Sequence, residues 1–175
     1  MPDAQDPRVT VAPLVAADED DFIAAVRSSR SLHRPWLDLA DTHERFMAVL
    51  ERLRRDDQEA YLVRHACGCG GLVGYVSVGN IVRSAFQSAY LGYGAFSGHE
   101  GRGLMTEGLR RVIDIAFSEL GLHRVEANIQ PGNARSLALV RRIGFTKEGF
   151  SPRYLRVDGE WRDHERWALR NDAME

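Results

Sequence analysis

Residues 90–120 constrain the fold more than any other stretch, because they read as a strand, a glycine-rich turn and a long amphipathic helix in direct succession. The turn is SGHEGRGLM, residues 97–105, with Gly98, Gly101 and Gly103 inside it. A backbone that aims several N–H groups at one anion needs residues without a Cβ that tolerate positive φ. The helix is expected from about Arg102, so its free N–H groups and positive dipole end face the same point. Together these make a phosphate site. Met105, Leu109, Val112, Ile113, Ala116, Phe117 and Leu120 recur at three- and four-residue steps, which supports the helix. The turn matches neither G-x-x-x-x-G-K-[ST] nor a G-x-G-x-x-G that opens an N-terminal βαβ unit. A plain bend between strand and helix stays open as the alternative at this point.

The chain's 175 residues fit one domain, with residues 1–7 expected as a flexible tail and 8–175 as the folded unit. Its 44% hydrophobic and 27% charged residues are those of a soluble globular protein. A net charge of -2 gives no support to a nucleic-acid groove or a polybasic membrane surface. No apolar run approaches about 18 residues, and MPDAQDP lacks the basic and apolar regions of a secretion signal. A cytoplasmic protein is expected, with neither nucleic acid nor membrane as partner.

Cys67 and Cys69 stand one residue apart in HACGCGG, a spacing poor for a mutual disulfide. With His65 they offer three soft ligands, but no second Cys/His pair lies at a zinc-site distance. A glycine hairpin without a metal is expected.

Taken in order, residues 8–14 read as a strand whose Pro13 suits an edge. Residues 18–29 read as a helix with acids in its first turn, and Thr42 caps a second helix to about residue 57. Between them SLHRPWLDLA, residues 31–40, is irregular around Pro35. Strands are expected at 59–64, 72–82 and 88–96. In the last of these Leu91, Tyr93 and Ala95 share one face, while Gly92 and Gly94 lie on the other with Tyr90 and Phe96. Paired glycines on one face imply that something approaches the backbone there. After the central helix come a strand at 124–129, a short helix from Asn133 to Gly144, and a hairpin of 146–155 and 161–169 around Asp158-Gly159. The order β α α β β β α β α β β makes one α/β domain on a largely antiparallel sheet.

Three blocks resemble the Gcn5-related N-acetyltransferase superfamily, and within it the bacterial ribosomal-protein-alanine N-acetyltransferases: LGYGAFSGHEGRGLMTEGL, HRVEANIQPGNARSLALVRRIGFTKEG and YLRVDGEWRDHERWAL. The resemblance implies a mixed, mostly antiparallel sheet of about seven strands with helices on both faces. It also implies acetyl-CoA as co-substrate and no metal. The pyrophosphate would sit on the turn amides of His99, Glu100, Gly101, Arg102, Gly103, Leu104 and Met105. The pantetheine would pair with backbone near Ala95, Phe96 and Ser97, between splayed strands. Asn133 and Ser136 occupy the N-x-x-S pattern of the branch, which makes Ser136 the donor to the leaving thiolate. Asn133 is both a cap and a partner for pantetheine. Three departures stand out: Gly98 where Arg or Gln is common, Val140 in place of a catalytic tyrosine, and Leu155 in place of a carboxylate.

The implied reaction is direct attack of a primary amine on the thioester, so the protein must position the amine, stabilise the oxyanion and protonate the thiolate. At neutral pH about a tenth of an α-amine is neutral, against less than about a thousandth of a lysine. An N-terminal amine therefore needs only a modest base. Glu126, mid-strand and facing opposite to Val125 and Ala127, is the candidate; an ion pair with Arg124 or exposure to solvent is the alternative. For Ser136 the alternative is a helix-cap hydroxyl. Arg102 and Arg142 are candidate partners of CoA phosphates or solvated surface arginines. His99 either touches the pyrophosphate or is exposed. Trp36, Tyr93 and Tyr154 are candidates for the acceptor pocket or for the core. SLHRPWL would form a flap over that pocket. The expected acceptor is a protein or peptide N-terminus. A small amine (polyamine, aminoglycoside or amino-acid analogue) and a non-catalytic acyl-CoA sensor are the other readings, and a homodimer is the assembly to test.

Overall fold

The computed structural model describes residues 6–68 and 71–174. In chain order it contains β1 (Val9–Pro13), α1 (Glu19–Ser28), α2 (Arg30–His33), α3 (His43–Arg52), β2 (Gln58–His65), β3 (Leu72–Val82), β4 (Ser88–Ala95), α4 (Leu104–Ser118), β5 (Arg124–Ile129), α5 (Ala134–Ile143), β6 (Thr146–Val157) and β7 (Glu160–Arg170). The strands form one sheet in the order β1-β2-β3-β4-β5-β7-β6. Every neighbouring pair is antiparallel except β4 and β5. The seven-stranded mixed sheet expected from the sequence is therefore present, and Pro13 lies on an edge strand.

Two apolar layers flank the sheet. On one face Leu109, Val112 and Ala116 of α4 and Val140 of α5 pack on Val76, Val78 and Val125. On the other, Phe22 of α1 and Phe46 of α3 pack on Leu62, Tyr75 and Phe96. The Phe22 ring centroid lies 5.5 Å from those of Phe46 and Tyr75 and 6.0 Å from that of Phe96, the tilted and edge-on contacts that aromatic pairs favour. Helix α4 sits close because two glycines leave room. A Cβ on Gly108 would meet Val63 Cγ1 at 2.5 Å, and one on Gly74 would run into Met105 Sδ of α4.

Several boundaries move. The second long helix stops at Arg52 rather than near 57, because the Asp57 carbonyl accepts from Ile81 N–H and draws the chain into the sheet. The long central helix starts at Leu104, after Gly103 at φ 76°, rather than at Arg102. The segment 31–40 is not wholly irregular: it overlaps α2, and the Arg34–Pro35 peptide is cis. Cys67 is disulfide-bonded, which corrects the expectation from spacing; Cys69 lies outside the described residues, as does most of the expected tail. Among the described residues no helix is long and apolar enough to cross a membrane, and no cluster of three or more metal-ligating side chains occurs.

Gly108→Ala tests the close approach of α4. Alanine gains up to about 1 kcal/mol of helix propensity, while overpacking against Val63 costs about 1–3 kcal/mol. A net loss of stability is expected in denaturant melts, and a gain would show that the helix stands further from β2 than described.

Candidate active site

The parallel pair β4–β5 is joined over only three rungs, Ser88↔Arg124, Ala89↔Val125 and Tyr90↔Glu126. Beyond Tyr90, β4 stays paired to β3 as far as Ala95, and β5 stays paired to β7 as far as Ile129. The two strands therefore diverge while each keeps its outer neighbour. Phe96 N–H donates to Val73 C=O at 2.8 Å, so antiparallel alternation turns the peptide groups of Tyr93 and Ala95 toward the opening. These are edge groups of the kind that an extended amide chain pairs with.

Phe96 and Ser97 do not offer their N–H groups to such a chain. Phe96 N–H is engaged by β3, its ring is buried, and Ser97 N–H donates to Ser29 Oγ at 2.9 Å. Of the three positions predicted for backbone pairing, only Ala95 faces the opening, and its carbonyl accepts from His33 Nε2 at 2.8 Å. Tyr93 takes the place assigned to Phe96.

The glycine turn closes the wide end of the opening. Gly98, Gly101 and Gly103 all have positive φ, at 90°, 74° and 76°. The first intrahelical bond runs from Glu107 N–H to Gly103 C=O, which leaves the N–H groups of Leu104, Met105 and Thr106 without helical partners. The front of the turn already holds an anion: Glu100 Oε2 accepts from Gly98 N–H at 2.7 Å. Backbone N–H groups, its own first and then those of Gly98 and His99, hold the Glu100 carboxyl below the usual range against a weaker effect of burial. His99 is not simply exposed; its Nδ1 lies 3.1 Å from His65 Nε2, and burial, then His65 and Arg102, lower its pKa.

A cleft of about 950 Å³ runs from this turn along the opening. Its walls bring together Tyr93, Ala95, Met105, Asn133, Ser136 and Arg142. Asn133 Oδ1 accepts from Ser136 N–H at 3.2 Å, so the expected cap exists and holds Ser136 in the first turn of α5. Arg142 Nη1 reaches Thr106 Oγ1 at 3.5 Å. Leu104 is buried in the core layer below the helices. Arg102 stands apart: with Leu104 it lines a second hollow beside Pro7, Arg8 and His65, and its carbonyl accepts from Arg8.

The SLHRPWL segment spans the opening. On the β4 side His33 holds Ala95, and a Cβ on Gly94 would meet Leu37 at 2.6 Å. On the β5–α5 side Gln130 Nε2 donates to Pro35 C=O at 3.4 Å, and a Cβ on Gly132 would meet Trp36 at 3.1 Å. What crowds Gly94 is this flap, and what crowds Gly92 is Ser77 Oγ at 2.7 Å. Burial lowers the His33 pKa, with the Ala95 hydrogen bond opposing.

Tyr93 and Tyr154 lie on opposite sides of the sheet. Tyr93 Oη is 2.7 Å from Ser136 Oγ, on the α4–α5 side. Tyr154 stands with His164, ring centroids 6.2 Å apart, and with Tyr90, whose phenol is pushed up by burial and then by Tyr154. Glu126 shares that face in the last rung before the strands part. Its Oε1 accepts from Arg124 Nε at 2.8 Å, while Arg124 Nη1 donates to Glu148 at 2.9 Å. The Arg124 bond, then other arginines including Arg166 and Arg170, hold the Glu148 carboxyl below its usual range. His33 and Leu37, which the sequence placed in the flap, also line the walls, as do Thr106 and Arg135, which it did not single out.

Residues 8–146 match the family model described as "Acetyltransferase (GNAT) domain". Over 128 residues the chain is 38% identical to the Probable N-acetyltransferase YjcK of Bacillus subtilis (strain 168), covering 73% of this chain and 70% of that protein. It is 42% identical over 98 residues to the [Ribosomal protein uS5]-alanine N-acetyltransferase of Escherichia coli (strain K12), a match that spans 56% of this chain and half of that enzyme. Among solved structures, Mycobacterium smegmatis RimJ in complex with CoA-disulfide superposes with a TM-score of 0.83 at 26% identity, covering 95% of this chain and 83% of that one. A parted parallel strand pair, a left-handed glycine turn at a helix start and a match over most of the chain agree: the protein belongs to the GNAT acetyltransferase family of acetyl-CoA-dependent acyltransferases.

Proposed function

We propose that the chain transfers the acetyl group of acetyl-CoA to the N-terminal α-amine of a protein or peptide in the cytoplasm, a reading supported by relatives named as ribosomal-protein-alanine N-acetyltransferases. The observation that carries the choice of acceptor is the charge on the sheet face bearing Glu126. Its carboxylates, Glu126 and Glu148, are both held by Arg124. Register places Arg166 and Arg170 on the same face, opposite Asn128 and Arg124. A polyamine brings further ammonium groups that need free carboxylates, whereas a peptide N-terminus brings one amine and neutral or acidic neighbours.

The demand on the base supports the same reading. Glu126 has one oxygen engaged by Arg124, which leaves the other for an amine or a bridging water. An α-amine with a pKa of roughly 7.7–8.0 needs less help to lose its proton than a lysine near about 10.4. The open N–H groups of Leu104, Met105 and Thr106 suit the pyrophosphate, and the edge groups of Tyr93 and Ala95 suit the amides of the pantetheine arm. Ser136 would hydrogen-bond the departing thiolate.

Two measurements test this. Intact-mass assays with acetyl-CoA should show one acetyl group on the α-amine of alanine-first peptides, with spermidine turned over more slowly. Faster acetylation of spermidine would overturn the acceptor assignment. Glu100→Gln removes the internal anion from the turn and should tighten binding of CoA and of 3′,5′-ADP by about two- to fivefold, while acetyl-pantetheine, which lacks phosphates, binds unchanged. Equal or weaker CoA binding by the variant would show that the carboxylate does not compete with the diphosphate.

A further inference from the structure

The hydroxyl pair Tyr93–Ser136 joins β4 to α5 across the opening, 43 residues apart in sequence and 2.7 Å apart in space. Both residues line the cleft. Ser136 is fixed twice, at its N–H by the Asn133 cap and at its Oγ by Tyr93. We infer that Tyr93 is a positioning residue: its phenol donates to Ser136 Oγ and so leaves the serine's own proton aimed into the cleft as a donor. The inference rests on the acetyl-transfer reading of this site and deepens it.

The distance alone leaves the direction of the bond open, and the chemistry decides it. Burial pushes the Tyr93 phenol up to about 12, against an opposing effect of Ser136, so it stays protonated wherever an α-amine reacts. The half-buried phenol is the more acidic of the two hydroxyls and so the better donor, and Ser136 Oγ is the acceptor within reach. A serine hydroxyl that accepts there has its single proton free for another acceptor. Two O–H groups in series polarise one another, which strengthens the last donor.

The same raised value makes the tyrosine a poor direct proton donor to a thiolate, whose conjugate thiol lies near about 8.5, and leaves it the positioning role that its contact with Ser136 Oγ gives it. In the reaction the amine nitrogen bonds to the acyl carbon, the carbon–sulfur bond breaks, and sulfur leaves with the electron pair. The amine loses one proton and the sulfur finally gains one, through solvent. Tyr93 keeps its own proton throughout, and Ser136 stabilises the thiolate by a hydrogen bond that Tyr93 orients.

The thiolate absorbance of bound CoA, titrated with pH, reads this without any acceptor amine. In the wild type the thiol of bound CoA should ionise at lower pH than in free CoA. Tyr93→Phe, which keeps the ring packing, should reduce the bound thiolate-to-thiol ratio about two- to tenfold, with CoA affinity nearly unchanged. Ser136→Ala should abolish the shift, and adding Tyr93→Phe to it should change nothing more. A bound thiol that ionises alike in wild type and Tyr93→Phe would overturn the inference, as would a further loss in the double variant. Failure of the wild type to bind CoA at all would overturn the acetyl-transfer reading and this inference with it, and would be evident before any variant is compared.

Discussion

Everything at the site depends on two neighbouring strands that stop pairing. β4 and β5 share three rungs and then diverge. The divergence is tolerable because each strand keeps a full antiparallel ladder on its other side, β4 with β3 and β5 with β7. Only the inward-facing peptide groups lose partners, and an unsatisfied buried group costs about 1–3 kcal/mol. The chain covers one of them itself, by placing His33 on the Ala95 carbonyl. The groups left over form a strand edge lined up with the helix-start amides of Leu104, Met105 and Thr106. A molecule with amides along one arm and a diphosphate at one end satisfies both sets at once.

Alternation along β4 gives the two faces of this opening different roles. Leu91, Tyr93 and Ala95 point toward α4 and α5, and among them Tyr93 reaches Ser136. Gly92 and Gly94 point the other way, where Ser77 Oγ comes close to the first and the flap residues Leu37 and His33 to the second. A side chain at Gly94 would push the flap off the sheet, and a glycine at 93 would leave Ser136 without its partner. A shift of one residue in register would exchange these faces and disable both, because the side-chain period of a strand is two.

Local chemistry made much of this legible in the sequence. The glycines of the turn, the Asn133 cap and the Gly144 stop announce backbone conformations that neighbouring residues determine, and the structure has each of them. The pair Arg124–Glu126 was also accessible, since residues two apart on a strand share a face. Contacts between distant segments were not accessible. Nothing near His33 announces that it meets Ala95, 62 positions away, and nothing near Tyr93 announces Ser136. The glycines at 92 and 94 signalled crowding correctly but not its source, because a missing Cβ records only that space is filled. The short helix α2 eluded periodicity, since a single turn shows no repeat.

Anionic groups stand on both sides of the parting, and they are handled in opposite ways. On the face bearing Glu126, the Arg124 guanidinium is shared between Glu126 and Glu148, which weakens the pull of either carboxylate on a polycation. At the glycine turn Glu100 rests chiefly on backbone amides, with Arg135 adding a weaker attraction. Those amides are fixed partial charges that cannot move away, so an arriving diphosphate must either displace the carboxylate or settle on the later amides from Leu104 onward. The first route makes loading a competition between two anions for one set of donors. The second leaves a carboxylate beside the diphosphate and weakens binding by like-charge repulsion.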